Sequence, residues 1–196
     1  MADLPTRMLC GRPVSAVSLG CMNLSHAYGA PLPEADGIRL LNHALDIGVT
    51  HLDTAALYGG GNNERLLAKG VMHRRGEFLL STKGVLDQIG DQRLLDGRPE
   101  TIAGSIDRSL QRLGLDFVDL YYLHRLDKDV PIEDSVGAVA DAVKAGKVGA
   151  IGLSEMGAAT IRRAQAAHPI AAVQTEYSLA VRNPEVAVLQ TCADQI

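Results

Sequence analysis

Between Thr50 and Gly84 the sequence places an acid, a phenol and an amine at short intervals. Asp53 closes one apolar run, Tyr58 lies in the loop just after it, and Lys83 ends the next apolar run. A phenol is a weak acid, with an ordinary pKa of about 10. A neighbouring ammonium favours the phenolate and makes that proton easier to give up, and a carboxylate beside the ammonium keeps the amine charged. His124 ends a further apolar run, and a neutral imidazole there can hydrogen-bond a carbonyl oxygen. Asp53, Tyr58, Lys83 and His124 therefore read as a proton donor tuned toward working pH, plus a group that orients and polarises the acceptor. Nucleophilic and metal chemistry fit less well. The six histidines are dispersed, Cys10, Cys21 and Cys192 lack metal-ligand spacing, and Ser154 sits in no Gly-x-Ser-x-Gly elbow.

Whether these groups converge depends on the elements that carry them. Met8–Ser15 reads as a small hairpin, followed by a glycine-broken strand over Ala16–Gly20. Strands are then expected over Val49–Thr54, Phe78–Thr82, Phe117–Leu123, Val148–Leu153 and Ile170–Thr175. Helices are expected from Glu34 to a stop at Gly48, over Asn63–Arg75, from Pro99 to Gly114, from Pro131 to Ala145, over Ala158–Ala167, and from Asn183 onward. Asp87–Pro99 is polar and glycine-punctuated, so it reads as a long loop of possible functional use. Gly59-Gly-Gly61 reads as a flexible turn, since no P-loop lysine and serine follow it.

A hairpin followed by six βα units is the signature of a parallel α/β fold. A doubly wound sheet and a (β/α)8 barrel both fit, and the absence of a Gly-x-Gly-x-x-Gly turn after the first strand weakens the former. Six units are two short of a barrel, so the expectation is an incomplete (β/α)8 TIM barrel, one domain over residues 1–196 and a fragment of a longer fold. In parallel α/β folds functional groups gather at the carboxyl ends of strands. Those ends deliver Asp53 with Tyr58, Lys83, His124 with Arg125, Ser154 with Glu155, and Gln174 with Glu176 and Tyr177.

Composition bounds the class. The chain is 46% hydrophobic with a formal charge of −4, and its basic residues are scattered, which argues against a nucleic-acid surface. No apolar run approaches a membrane span, and no signal-type segment follows Met1. Three cysteines without a pairing pattern fit a reduced, cytoplasmic setting.

The motifs resemble those of the aldo-keto reductase family. They are Leu19-Gly-Cys-Met-Asn23, His51-Leu-Asp-Thr-Ala-Ala-Leu-Tyr-Gly59 with Asn63-Glu64, Leu80-Ser-Thr-Lys-Gly84, Asp119-Leu-Tyr-Tyr-Leu-His-Arg125, Lys144-Ala-Gly-Lys-Val-Gly-Ala-Ile-Gly-Leu-Ser154 and Val173-Gln-Thr-Glu-Tyr-Ser178. The resemblance implies a (β/α)8 barrel plugged at its base by the hairpin, and reduction of a small aldehyde or ketone by hydride from NADPH, with NADH as the other possible donor. It implies Tyr58 as general acid, Lys83 as its partner, Asp53 as the carboxylate paired to Lys83, and His124 as the substrate-orienting imidazole. Ser154 and Gln174, with Asp53, would stand at the nicotinamide end of the cofactor. Glu155 departs from the asparagine many relatives carry there. Relatives continue into a seventh and eighth strand, so the resemblance implies a truncated chain, poorly stable alone and weak in NADPH binding. A non-catalytic binding module on the same scaffold is the alternative.

Overall fold

The computed structural model describes residues 4–25, 27–89 and 92–196. Strands β1 (Thr6–Leu9) and β2 (Arg12–Ser15) form an antiparallel hairpin. Its turn, Cys10-Gly11, has both residues at positive φ (51° and 71°), as a two-residue hairpin turn that follows strand twist requires. The chain then alternates β3 (Leu19–Gly20), α1 (Glu34–Asp46), β4 (His51–Asp53), α2 (Asn62–Val71) and β5 (Leu79–Gly84). After a second small hairpin, β6 (Leu86–Ile89) and β7 (Gln92–Leu95), it continues with α3 (Pro99–Leu113), β8 (Val118–Leu123), α4 (Ile132–Lys144), β9 (Val148–Ser154), α5 (Ala158–Ala167), β10 (Ile170–Gln174) and α6 (Val188–Gln195).

Strands β3, β4, β5, β8, β9 and β10 lie side by side in chain order, every pairing parallel, with β3 and β10 at the edges. The sheet is curled. Gln174 at the end of β10 donates to Asp53 at the end of β4 across 3.3 Å. In a flat sheet those strands, four spacings apart, would be separated by roughly 19 Å. The curl gives the strands an inside and an outside.

Outside, Leu52, Leu80, Tyr121, Leu123, Ile151 and Leu153 pack beneath the helices in the main core. The helices are placed by apolar stripes. In α3, Pro99 opens the first turn, Ile102, Ile106, Leu110 and Leu113 are buried, and Gly114 at φ 68° closes the helix. Each such side chain contributes roughly 1.5–3 kcal/mol of burial. Inside, Val14 of the plug hairpin packs on Leu79, Leu120 and Tyr122 in a smaller cluster. Gly152 lies where a Cβ would stand 2.4 Å from the Tyr122 ring, so only glycine leaves room for that tyrosine. The plug is also tied down by charge, because Asp119 accepts from Arg12 (2.8 Å), Arg75 (2.5 Å) and the Leu80 amide (2.8 Å).

Three local expectations are corrected here, the first being that the helix expected from Asn183 onward begins only at Val188, after a 3-10 stretch over Asn183–Val186. Residues 87–99 are not a structureless loop, since most of the stretch is the hairpin β6–β7, in which Leu86 pairs Leu95 and Gln88 pairs Arg93. Its strand Gln92–Leu95 is exposed on both faces, so no apolar alternation marks it. The helix expected over Asn63–Arg75 ends at Val71 and continues as a 3-10 stretch, Met72–Glu77, in which Arg74 leaves helical geometry. Among the described residues, no helix is long and apolar enough to cross a membrane.

Candidate active site

Residues i and i+2 of a strand face the same way. On β4 this puts His51 and Asp53 inside the curl, and on β5 it puts Ser81 and Lys83 there. Parallel pairing sets Asp53 beside Ser81 and Leu52 beside Leu80. Lys83 is fully buried, yet its ammonium has three partners for three N–H donors: Asp53 Oδ2 at 2.5 Å, the Thr54 carbonyl at 2.9 Å and Tyr58 Oη at 3.1 Å. Asp53 is held from three further directions of the fold. Ser81 Oγ donates to its Oδ1 (2.6 Å), Gln174 Nε2 to its Oδ2, and Asp53 itself ends the strand that pairs β3 with β5.

Tyr58 leaves β4 on a short turn whose shape is fixed by its neighbours. Asn63, fully buried, accepts from the Thr54 hydroxyl (2.6 Å) and donates to the Cys21 carbonyl (2.8 Å) and Ser25 Oγ (3.0 Å). Gly59, Gly60 and Gly61 all have positive φ. At Gly61 (φ 83°) a Cβ would meet Arg112 Cδ at 2.5 Å, so the triple-glycine run is a tight turn into α2. Arg112 in turn pairs with fully buried Glu64 (2.5 Å), which accepts from Thr82 (2.7 Å) and locks α2 against β5. The Tyr58 ring lies 4.9 Å from Lys83 Nζ and meets His124 edge-on, with centroids 5.8 Å apart and planes at 85°. The His124 amide prolongs the β5–β8 ladder by donating to the Gly84 carbonyl (3.0 Å).

On the other side of the mouth, Ser154 and Gln174 are direct partners in the β9–β10 register. Arg125 donates to Ser154 Oγ (3.2 Å) and to the His124 carbonyl (2.6 Å). Of the strand-end residues the sequence offers, Asp53, Tyr58, Lys83, His124, Ser154 and Gln174 stand at this one rim, with Arg125 joined to them through Ser154. Other strand-end residues do not join them. Glu155, at φ 54°, turns its carboxylate to the Glu176 amide (2.7 Å) and Thr175 hydroxyl (3.2 Å), and Tyr177 points to Glu185 (2.8 Å). Cys21, fully buried nearby, is no candidate nucleophile, because burial pushes its thiol up to about 12, with Asp53 adding to the effect. Residue type alone does not single out His51, Ser81 and Asn63 as parts of the site. The first two were visible as the i−2 neighbours of Asp53 and Lys83.

The arrangement holds a phenol beside a buried ammonium, with an imidazole edge next to the phenol and a hydroxyl and a carboxamide side by side across the mouth. A family model described as the aldo/keto reductase family matches residues 16–195. The chain is 41% identical over 186 residues to a probable aldo-keto reductase 1 of Glycine max, covering 94% of this chain and 54% of that protein. It is 40% identical over 199 residues to aldo-keto reductase yakc [NADP(+)] of Schizosaccharomyces pombe, covering 98% of this chain and 58% of that protein. The chain thus spans somewhat over half the length of these relatives. Among solved structures, it superposes on the glycerol dehydrogenase AKR11B4 from Gluconobacter oxydans with TM-score 0.88 and 27% identity, covering 97% of this chain and 60% of that one. For the aldo-keto reductase AKR11C1 from Bacillus halodurans the TM-score is 0.89 at 27% identity, over 99% of this chain and 64% of that one. The six βα units are those of an incomplete (β/α)8 barrel, and with the family match running through all six, the chain belongs to the aldo/keto reductase family.

Proposed function

We propose that this site reduces an aldehyde or ketone to an alcohol, with a reduced nicotinamide nucleotide as hydride donor and Tyr58 as the general acid. The observation that carries the reading is the position of Lys83 Nζ, within hydrogen-bond reach of both Asp53 Oδ2 and Tyr58 Oη. The ammonium takes an acceptor position on the phenol oxygen, so the phenol's own proton is the one to be given. As that proton leaves, the fixed ammonium stabilises the negative charge developing on Oη. Asp53 anchors the ammonium, and Tyr58, Lys83 and His124 are all buried, so water does not compete for these bonds. The His124 edge beside the Tyr58 ring suits a group that orients the substrate oxygen.

The residues also suit the nicotinamide end of the cofactor. Ser154 and Gln174, adjacent in register, offer a hydroxyl and a carboxamide, which match the donors and acceptor of a nicotinamide carboxamide. When bound, the reduced nicotinamide supplies the hydride. The name of the Schizosaccharomyces pombe relative supports NADPH as the nucleotide, and the glycerol dehydrogenase title of one structural neighbour supports a small substrate.

The test is NADPH consumption with a panel of small aldehydes. General acid catalysis is worth about a hundred- to ten-thousandfold, and Tyr58→Phe is expected to lose that factor while nucleotide binding persists. Aldehyde-dependent consumption that Tyr58→Phe leaves unchanged would sink the assignment.

A further inference from the structure

Behind Asp53 a line of hydrogen bonds runs away from the rim toward the plugged end of the barrel, and the chemistry proposed above does not use it. Ser81 Oγ lies 2.6 Å from Asp53 Oδ1 and 2.9 Å from His51 Nε2, and His51 Nδ1 lies 2.7 Å from Ser18 Oγ. His51 and Ser81 are buried, whereas Ser18 is exposed. The direction of each bond follows from the donors available. Asp53, ion-paired with Lys83, can only accept, so the single Ser81 proton goes to it. The Ser81 oxygen must then accept from His51, which puts a proton on Nε2. In the neutral ring Nδ1 is left as an acceptor, and the Ser18 hydroxyl donates to it. A second proton on the ring makes Nδ1 a donor. The exposed Ser18 hydroxyl then turns round to accept, and no bond in the line is lost.

We propose that His51 is a positioning residue that acts through Ser81. It fixes the Ser81 proton on Asp53 and so sets how much carboxylate charge Lys83 meets. Its own protonation, reached from the Ser18 side, loosens the Asp53–Lys83 pair and turns the ammonium toward Tyr58. This inference rests on Tyr58 being the proton donor. The coupling is physical because hydrogen bonds in a chain polarise one another, so an imidazolium strengthens the donation of Ser81 and draws charge from Asp53. The charged groups that act on the ring are Asp53 on its own strand, Lys83 on β5 and Asp119 on β8. Burial is the largest influence and holds the ring's pKa below its ordinary 6.5. Asp53 and Asp119 work against that lowering, and Lys83 reinforces it. The switch therefore operates on the acid side of neutrality.

Two measurements on the intact chain test this. Nitrogen NMR of the His51 ring, assigned through His51→Gln, reads its tautomer and its titration. The expected result is the Nε2–H tautomer, a midpoint that rises in Lys83→Met as the repelling cation goes, and mixed tautomers in Ser81→Ala that return to one in Ser81→Thr. An Nδ1–H tautomer, or a midpoint blind to both Lys83→Met and Ser81→Ala, overturns the inference without any appeal to turnover. The second measurement is the pH profile of single-turnover reduction. Wild type is expected to show a faster acid-side plateau with its inflection at the NMR midpoint. His51→Gln, which keeps an N–H toward Ser81 but takes up no proton, should lack that inflection. Ser81→Ala is expected to lose about tenfold at all pH values, and Ser81→Thr to restore it. Turnover whose inflection survives in His51→Gln overturns the inference alone, and turnover that Tyr58→Phe leaves unchanged overturns the Tyr58 reading while the ring titration still decides the relay.

Discussion

Lys83→Met is the perturbation that asks most of the site. The wild-type ammonium, fully buried, bonds Asp53, the Thr54 carbonyl and Tyr58 at once. Methionine is close to lysine in length and apolar, so the change removes charge and donors with little loss of volume. What it leaves behind is the carboxylate of Asp53, whose side chain is 10% exposed, with Ser81 and Gln174 alone among the described residues still donating to it. Removing one partner of a buried pair costs about 3–5 kcal/mol, and the two surviving donors place this case near the lower end, about 3 kcal/mol. If the cost comes from the stranded charge, neutralising that charge must recover most of it. The double variant Lys83→Met/Asp53→Asn is therefore expected within about 1 kcal/mol of wild type, about 2 kcal/mol more stable than Lys83→Met alone. Urea unfolding of wild type, both single variants and the double, read by circular dichroism with a common m-value, measures it. A Lys83→Met cost under about 1 kcal/mol, or a double variant as unstable as the sum of its singles, would refute the reasoning.

The same logic ranks two ion pairs on α2. Arg112→Met strands the fully buried Glu64 and is expected to cost about 3 kcal/mol. Lys69→Ala breaks a pair with Glu34 in which both side chains are more than half exposed, and should cost under about 1 kcal/mol in the same urea assay. The reverse order would contradict the buried-pair argument. A third prediction concerns acid. Asp96 accepts from the Arg98 side chain and amide and from Thr101, and the Arg98 hydrogen bond, as the largest cause, holds its carboxyl well below the usual range. The unfolded chain takes up this proton near pH 4 while the folded chain does not, so the contribution is present above that pH and is lost as the pH falls below it. Asp96→Asn should flatten the fall of the urea midpoint between about pH 5 and pH 3, and an unchanged slope would show that other carboxylates carry it.

The element order was legible because each helix carries an apolar stripe and most strands of the parallel sheet are buried on both faces. In α3 the stripe, the opening Pro99 and the closing Gly114 agree with one another, and the observed helix ends where they say. The hairpin β6–β7 was not legible, since Gln92–Leu95 faces solvent and its pairing depends on β6. The first strand of the sheet was expected over Ala16–Gly20 but pairs only through Leu19 and Gly20. Ala16 bonds back to Pro5 beside the plug hairpin instead, a tertiary preference that local sequence does not contain. Within the site, Asp53 and Lys83 could be picked by type, whereas the short contacts that join them to Tyr58 depend on Asn63 and the glycine turn.

What aims the chemistry inward is the apolar half of the same strands. Leu52 lies between His51 and Asp53, and Leu80 precedes Ser81, which is followed by Thr82 and Lys83. Leu52 and Leu80 are fully buried in the core beneath the helices. A one-residue slip of β4 or β5 would turn those leucines into the polar interior and push Asp53 or Lys83 under the helices, losing both the burial and the ion pair. Leu123 before His124 and Leu153 before Ser154 impose the same choice on β8 and β9. Burying those leucines is favourable by roughly 1.5–3 kcal/mol each, whereas burying Asp53 and Lys83 is costly except in their one mutual arrangement. The outer core therefore drives the register, and the row of polar groups at the rim follows from it. A substitution such as Leu52→Ala should thus disturb the Asp53–Lys83–Tyr58 geometry although Leu52 lies on the opposite face of the sheet.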